Sequence, residues 1–200
     1  MILNVRLSGV KYNDSSALFF FLNSDFTTFV DQQSPNIHIM DFLEVIEKRH
    51  SVRRFTDEPV DRELLDAIIG IAQTAPSSKN CHSSAFMVIE DKDTLLAVSE
   101  MRDRGSAFLK GAPAAIVVMG DRSRSDIWVE NASISATFIQ LAATALDLGS
   151  CWVHVRDRQR SSADPSKGTA EDYLRGLLGI REEYGVLCVI ALGHEDTAAL

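Results

Sequence analysis

From Met40 onward the spacing of apolar positions changes period several times, and each change marks an element. Asp41 precedes Phe42, Leu43 and Ile46, which recur at helical spacing, and Glu44 follows three residues later as in a capping box. Lys48, Arg49 and His50 close this helix and suit the negative end of its dipole. Residues 51–55 read as extended. Pro59 breaks the chain, and Asp61 caps a second helix with Leu64, Leu65, Ile68, Ile69 and Ala72 on one face. Residues 76–80 are a loop, 85–90 a strand and 94–101 a short helix. Residues 114–120 are apolar throughout, which predicts a strand buried on both faces.

The longest predicted helix covers 128–148, roughly 30 Å at the usual rise per residue. It is poor in charge and rich in small residues, among them Ala132, Ser135, Ala136, Ala142 and Ala143. Such a helix requires burial on several sides, as a central helix or a subunit interface. Gly149 is expected to end it. Residues 151–155 form a third strand, 156–168 a polar connection, 169–178 a helix and 186–192 a last strand. Helices and strands interleave, so the class is α/β or α+β around one sheet.

Residues 1–39 read differently. They hold five of the ten phenylalanines but only five charged residues, against 43 charges in the remainder. The apolar run at 17–22 has only Arg6 and Lys11 before it and no small-residue cleavage site after it, unlike a secretory signal. A strand pair or an arm packing on a partner subunit is one reading; the favoured one is an N-terminal extension of a functional domain spanning 40–200.

Composition narrows the partners. The net charge of −8 disfavours sequence-independent binding to nucleic acid or anionic membranes. No run of 18 apolar residues occurs that could span a membrane. Three widely spaced cysteines, Cys81, Cys151 and Cys188, suit reduced thiols in the cytoplasm. The five histidines show no metal-ligand spacing, and neither a nucleophile elbow nor a glycine-rich phosphate loop is present.

Three clusters remain as candidate chemistry. Lys48 to Arg54 packs four cationic side chains, His50 and Ser51 into seven residues of an acidic protein. Guanidinium forks match phosphate oxygens, and an extended chain places Ser51 and Arg53 on one side. A solvated basic helix end explains the run equally well. Pro76-Ser77-Ser78-Lys79-Asn80 offers hydroxyls, backbone amides and a carboxamide to a polar heterocycle, or is an ordinary turn. Gly149-Ser150-Cys151 allows close backbone approach, or is a helix cap followed by a strand.

Taken in order, the clusters resemble the flavin-dependent nitroreductase family. Phe42 to Phe55 is similar to its R-x-S-x-R signature, 76–80 to its P-S-S-x-N loop, and 126–152 to its central helix and following strand. The resemblance covers about Met40 to Gly193. It implies an α+β three-layer sandwich, a central mixed sheet with helices on both faces, and an intertwined homodimer with FMN at the interface. It implies that Arg49 and Ser51 hold the FMN phosphate, with His50 near the ribityl chain and Arg53 at the pyrimidine edge. Pro76, Ser77, Ser78 and Asn80 would reach the same flavin from the other subunit, and Gly149, Ser150 and Cys151 would approach its N5 side. NADH or NADPH would reduce the flavin, which would then reduce a nitro compound, quinone or similar small acceptor in a ping-pong cycle. The flavin carries the chemistry, so no protein group is assigned as catalytic.

Two departures stand out. Where the family commonly continues N-x-Q-P-W, this chain has Asn80-Cys81-His82-Ser83-Ser84, which makes His82 a candidate substrate contact, alongside Arg156. A C-terminal cation that commonly joins the phosphate site is absent from Gly193-His194-Glu195-Asp196-Thr197-Ala198-Ala199-Leu200. These departures leave a flavin store or sensor without turnover, or a related flavin enzyme with other chemistry, as alternatives.

Overall fold

The protein is described by a computed structural model, which covers residues 40–199; the expected extension at 1–39 lies outside the described residues. Four strands form one sheet in the order β1-β2-β4-β3. They are β1 (Ser84–Ile89), β2 (Ala114–Asp121), β3 (Gly149–His154) and β4 (Tyr184–Gly193). All three ladders are antiparallel. A parallel pairing enters through Ser51, which bridges to Ser150 on the outer edge of β3.

The central strands dictate the layers. Ala114 to Met119 and Val186 to Leu192 are almost wholly buried, so both faces of the sheet need covering. On one face Ile116, Val118 and Ile190 pack with α2 (Arg62–Gln73) and α4 (Trp128–Ala145). On the other, Val117, Val189 and Ala191 pack with α3 (Lys92–Ser99) and α5 (Ala170–Leu178). This is the expected three-layer α+β sandwich. Leu187 is an extra residue in β4, where the register against β2 shifts, and its carbonyl accepts from Val155 and Arg156 N–H at 3.0 and 3.1 Å.

Local chemistry moved several boundaries. The 94–101 helix begins two residues earlier because Asp91 caps it, accepting from the Thr94 amide at 2.8 Å. Asp61 stands at the α2 N-cap without a side-chain cap bond. In α1 (Phe42–Lys48) Asp41 accepts from the Glu44 amide at 3.0 Å, but the Glu44 carboxylate turns to Lys48 at 2.8 Å, so the box is half made. The expected apolar face of α1 is not buried: Phe42 and Leu43 are 69% and 70% exposed, and Val45 alone is buried. Gly149 does not end α4. The helix stops at Ala145, Asp147 takes the left-handed turn at φ 59°, and Gly149 opens β3.

The start of α4 is seated by two glycines. A Cβ on Gly120 or Gly185 would lie 2.5 or 2.6 Å from the Trp128 ring, so neighbouring strands meet that ring only through bare backbone. Gly185→Val should lower stability by about 1–3 kcal/mol by overpacking this contact, read as a reduced urea midpoint with an unchanged slope.

Candidate functional site

The first cluster forms where α1 ends against the start of β3. The Arg49 amide caps α1 by donating to the Val45 carbonyl. The chain then runs along β3, and the Val52 amide donates to the Ser150 carbonyl at 3.0 Å. Val52 is buried between exposed Ser51 and Arg53. Gly149 is required here, since a Cβ would sit 2.8 Å from Val52 Cγ2. Its role is close approach between two chain segments rather than helix termination.

Seven of the predicted residues meet at this cradle: Arg49, His50, Ser51, Arg53, Gly149, Ser150 and Cys151. The Arg49 guanidinium forms no ion pair with any described residue. Arg53 reaches the Ser51 carbonyl only at 3.5 Å. Lys48 is engaged by Glu44. Ser150 Oγ is buried with no hydrogen-bond partner among the described residues. Burial pushes the Cys151 thiol up, partly opposed by the Arg53 charge and a Ser51 hydrogen bond. The chain after β4 closes one side: the Thr56 amide donates to the His194 carbonyl, and the Asp196 amide to the Arg54 carbonyl.

The second cluster lies at the other end of α4. Asn131, on the buried face of that helix, accepts from the Ser78 amide at 3.0 Å through Oδ1 and donates through Nδ2 to Ser83 Oγ at 2.9 Å. Ser77 Oγ accepts from the His82 amide at 2.9 Å. This lacing holds Lys79, Asn80 and His82 at φ 52°, 53° and 45°, in the left-handed region. Pro76, Ser77, Ser78, Asn80 and His82 are therefore presented by one rigid turn. Asn131 went unnoticed in the sequence, although a polar residue on the buried side of an apolar helix was the available signal.

The two clusters do not meet within one chain. The loop leads into Ser84, which pairs with Gly120, which pairs in turn with Gly185; Ser150 pairs with Leu192 on the far edge. They occupy diagonal corners of the sheet, three strand spacings or about 14 Å across and about 23 Å along. Arg156 lies past the far end of β3, paired with Asp157 at 2.8 Å, away from the cradle. A concavity of about 400 Å³, lined by Leu96, Glu100, Arg102, Lys110, Arg160 and Lys167 among others, opens on the α3 side of the sheet and contains none of these groups.

The nitroreductase family model matches residues 46–104 and 95–194. The chain belongs to the nitroreductase family. It is 35% identical over 158 residues to a Methanothermobacter thermautotrophicus protein named as an NADH dehydrogenase/NAD(P)H nitroreductase, covering 78% of each chain. An FMN-dependent nitroreductase from Clostridium difficile superposes with a TM-score of 0.73 at 41% identity, over 77% of this chain and 87% of that one. A nitroreductase from Desulfovibrio desulfuricans, solved in complex with FMN, superposes with a TM-score of 0.64 at 26% identity, over 78% and 86%.

Within this family member, the loop thiol stands apart from the other two. Burial pushes Cys81 up, but hydrogen bonds from Ser83, Ser125 and Ser77 outweigh it and leave the thiol more acidic than usual. Burial raises Cys151, and raises Cys188 far more. At neutral pH iodoacetamide should therefore label Cys81 first, with Cys151 and Cys188 modified only on unfolding, as peptide mass spectrometry would show.

Proposed function

We propose that this protein is an FMN-dependent oxidoreductase that draws hydride from NADH or NADPH and reduces a small nitro, quinone or related acceptor. FMN binding in the related nitroreductases and the donor set of the cradle support this reading. With no ion-pair partner for the Arg49 guanidinium and no hydrogen-bond partner for the buried Ser150 Oγ among the described residues, these groups and the exposed Ser51 hydroxyl fit a phosphate ester and its polyol chain. Bound FMN would supply the two-electron chemistry, and the protein supplies binding, orientation and electrostatics. Arg49 and Ser51 hold the phosphate, and His50 adds charge beside them. Arg53 would face the pyrimidine edge of the flavin, where its positive charge would favour electron acceptance. Gly149, Ser150 and Cys151 line the approach to the flavin's N5 side.

The observation that carries the assembly is the separation of the two clusters to opposite ends of α4. From Asn131 to Ala145 that helix rises about 21 Å. Its outward side carries Ile134, 37% exposed, with Phe138 and Leu141 half-buried. Two copies with antiparallel α4 helices across a twofold axis would cover this apolar stripe and bring the Ser77–Asn80 turn of one to the cradle of the other. Each FMN is then shared, and His82 is offered to the acceptor from the partner's side. Arg156 stays at the rim of the molecule, so we place it outside the acceptor site. The catalytic unit is residues 40–200, with 1–39 as an extension in a cytoplasmic enzyme.

Four measurements test this. Arg49→Ala should weaken FMN binding by about 1.5–3 kcal/mol, seen by quenching of flavin fluorescence; unchanged affinity would remove Arg49 from the phosphate site. FMN-loaded protein should oxidise NADH or NADPH with a quinone or nitroaromatic acceptor, and binding without turnover would assign a flavin store. Mixing Arg49→Ala with an Asn80→Ala variant should restore a fraction of wild-type activity, since a heterodimer regains one intact site. Removal of 1–39 should leave FMN binding intact.

A further inference from the structure

The rim of the cradle contains a histidine whose two ring nitrogens both face acceptors. His50 Nδ1 lies 2.8 Å from the Lys48 carbonyl oxygen, and Nε2 lies 3.1 Å from Glu195 Oε1. A carbonyl only accepts, and a carboxylate only accepts. Both contacts are satisfied together only when both nitrogens carry hydrogen, which makes the ring an imidazolium. Glu195 is fixed in place by the backbone: Phe55 and Glu195 form an antiparallel bridge, flanked by the Thr56 to His194 and Asp196 to Arg54 hydrogen bonds.

We propose that Glu195 is a positioning residue that holds His50 as a cation at the edge of the Arg49–Ser51 cradle, making phosphate affinity there fall as pH rises. The inference rests on the FMN reading above. The segment after β4 thus brings a carboxylate that charges a neighbouring ring. Both ring nitrogens are engaged, so His50 acts on the phosphate through its charge and not through a hydrogen bond.

The charges around the ring fix the sign. The hydrogen bond to the Lys48 carbonyl, then that to Glu195, holds the His50 pKa above the ordinary histidine value, opposed by burial and by Arg49. Lys48 is occupied by Glu44 on α1, with Asp147 of the turn before β3 also acting on it. Arg53 and Arg54 on the extended segment and His194 and Asp196 on the tail are the other charged or titratable groups of the segments packed here. Below the His50 pKa the His50–Glu195 pair is neutral overall. Above it the Glu195 carboxylate stands uncompensated beside the phosphate and repels it.

The test compares FMN with riboflavin, which lacks the phosphate, between about pH 7 and pH 9, above the phosphate's own second ionisation at about 6. Wild-type affinity for FMN should fall about twofold to fivefold more than that for riboflavin across this range, a scale suited to partly exposed charges. In Glu195→Gln the carboxamide can donate to a neutral ring, so the fall should leave this window, and the NMR titration of His50 should move to lower pH. An unchanged pH profile and an unchanged His50 titration in Glu195→Gln would overturn the proposal while leaving FMN binding intact. Failure of FMN to bind at any pH would overturn the parent reading and this one together.

Discussion

Ile116, Val118 and Ile190 face one side of the sheet, Val117 and Val189 the other, and all are sealed from solvent. Two adjacent strands with no wettable face can exist only between two helical layers. At about 25 cal/mol per Å² of apolar area removed from water, this burial is the main favourable term in the fold. The rest follows from it. α4 covers one face along its length, and α3 and α5 cover the other. Polar chemistry is pushed to the places where strands and helices end. The cradle and the laced turn lie at such ends, and α4 sets the distance between them.

The element order and the buried strands were legible because periodicity reports burial directly, while the layering was implied only by the family resemblance. What misled was chemistry that periodicity does not see. Phe42, Leu43 and Ile46 have the spacing of a core face yet point outward, because spacing says which residues share a side and not what that side meets. Gly149 after a long helix looks like a terminator, whereas its true constraint is Val52, nearly a hundred positions earlier in the chain. The Asp147 turn that ends α4 is a left-handed residue without glycine, which composition alone does not flag.

For the candidate site, motif order identified the clusters but not how they are held. Ser51 and Arg53 were visible as donors, whereas Ser150 was read only for the approach of its backbone. Asn131 was hidden in an apolar helix, although it fixes the Ser78 turn and the Ser83 hydroxyl together. Glu195 was hidden for a different reason. A phosphate site draws attention to cations, and a carboxylate there reads as an obstacle until its histidine neighbour is placed 3.1 Å away.

The turn at 79–82 places side-chain-bearing residues where glycine would be easier. Glycine there would relieve the backbone, but it would also enlarge the set of shapes open to the unfolded chain and loosen the turn in the folded one. Lysine, asparagine and histidine in left-handed geometry do the reverse. They give up some stability in exchange for a narrow conformational ensemble, so the groups on this turn arrive already ordered. A ligand docking on the turn would then lose little further entropy to it.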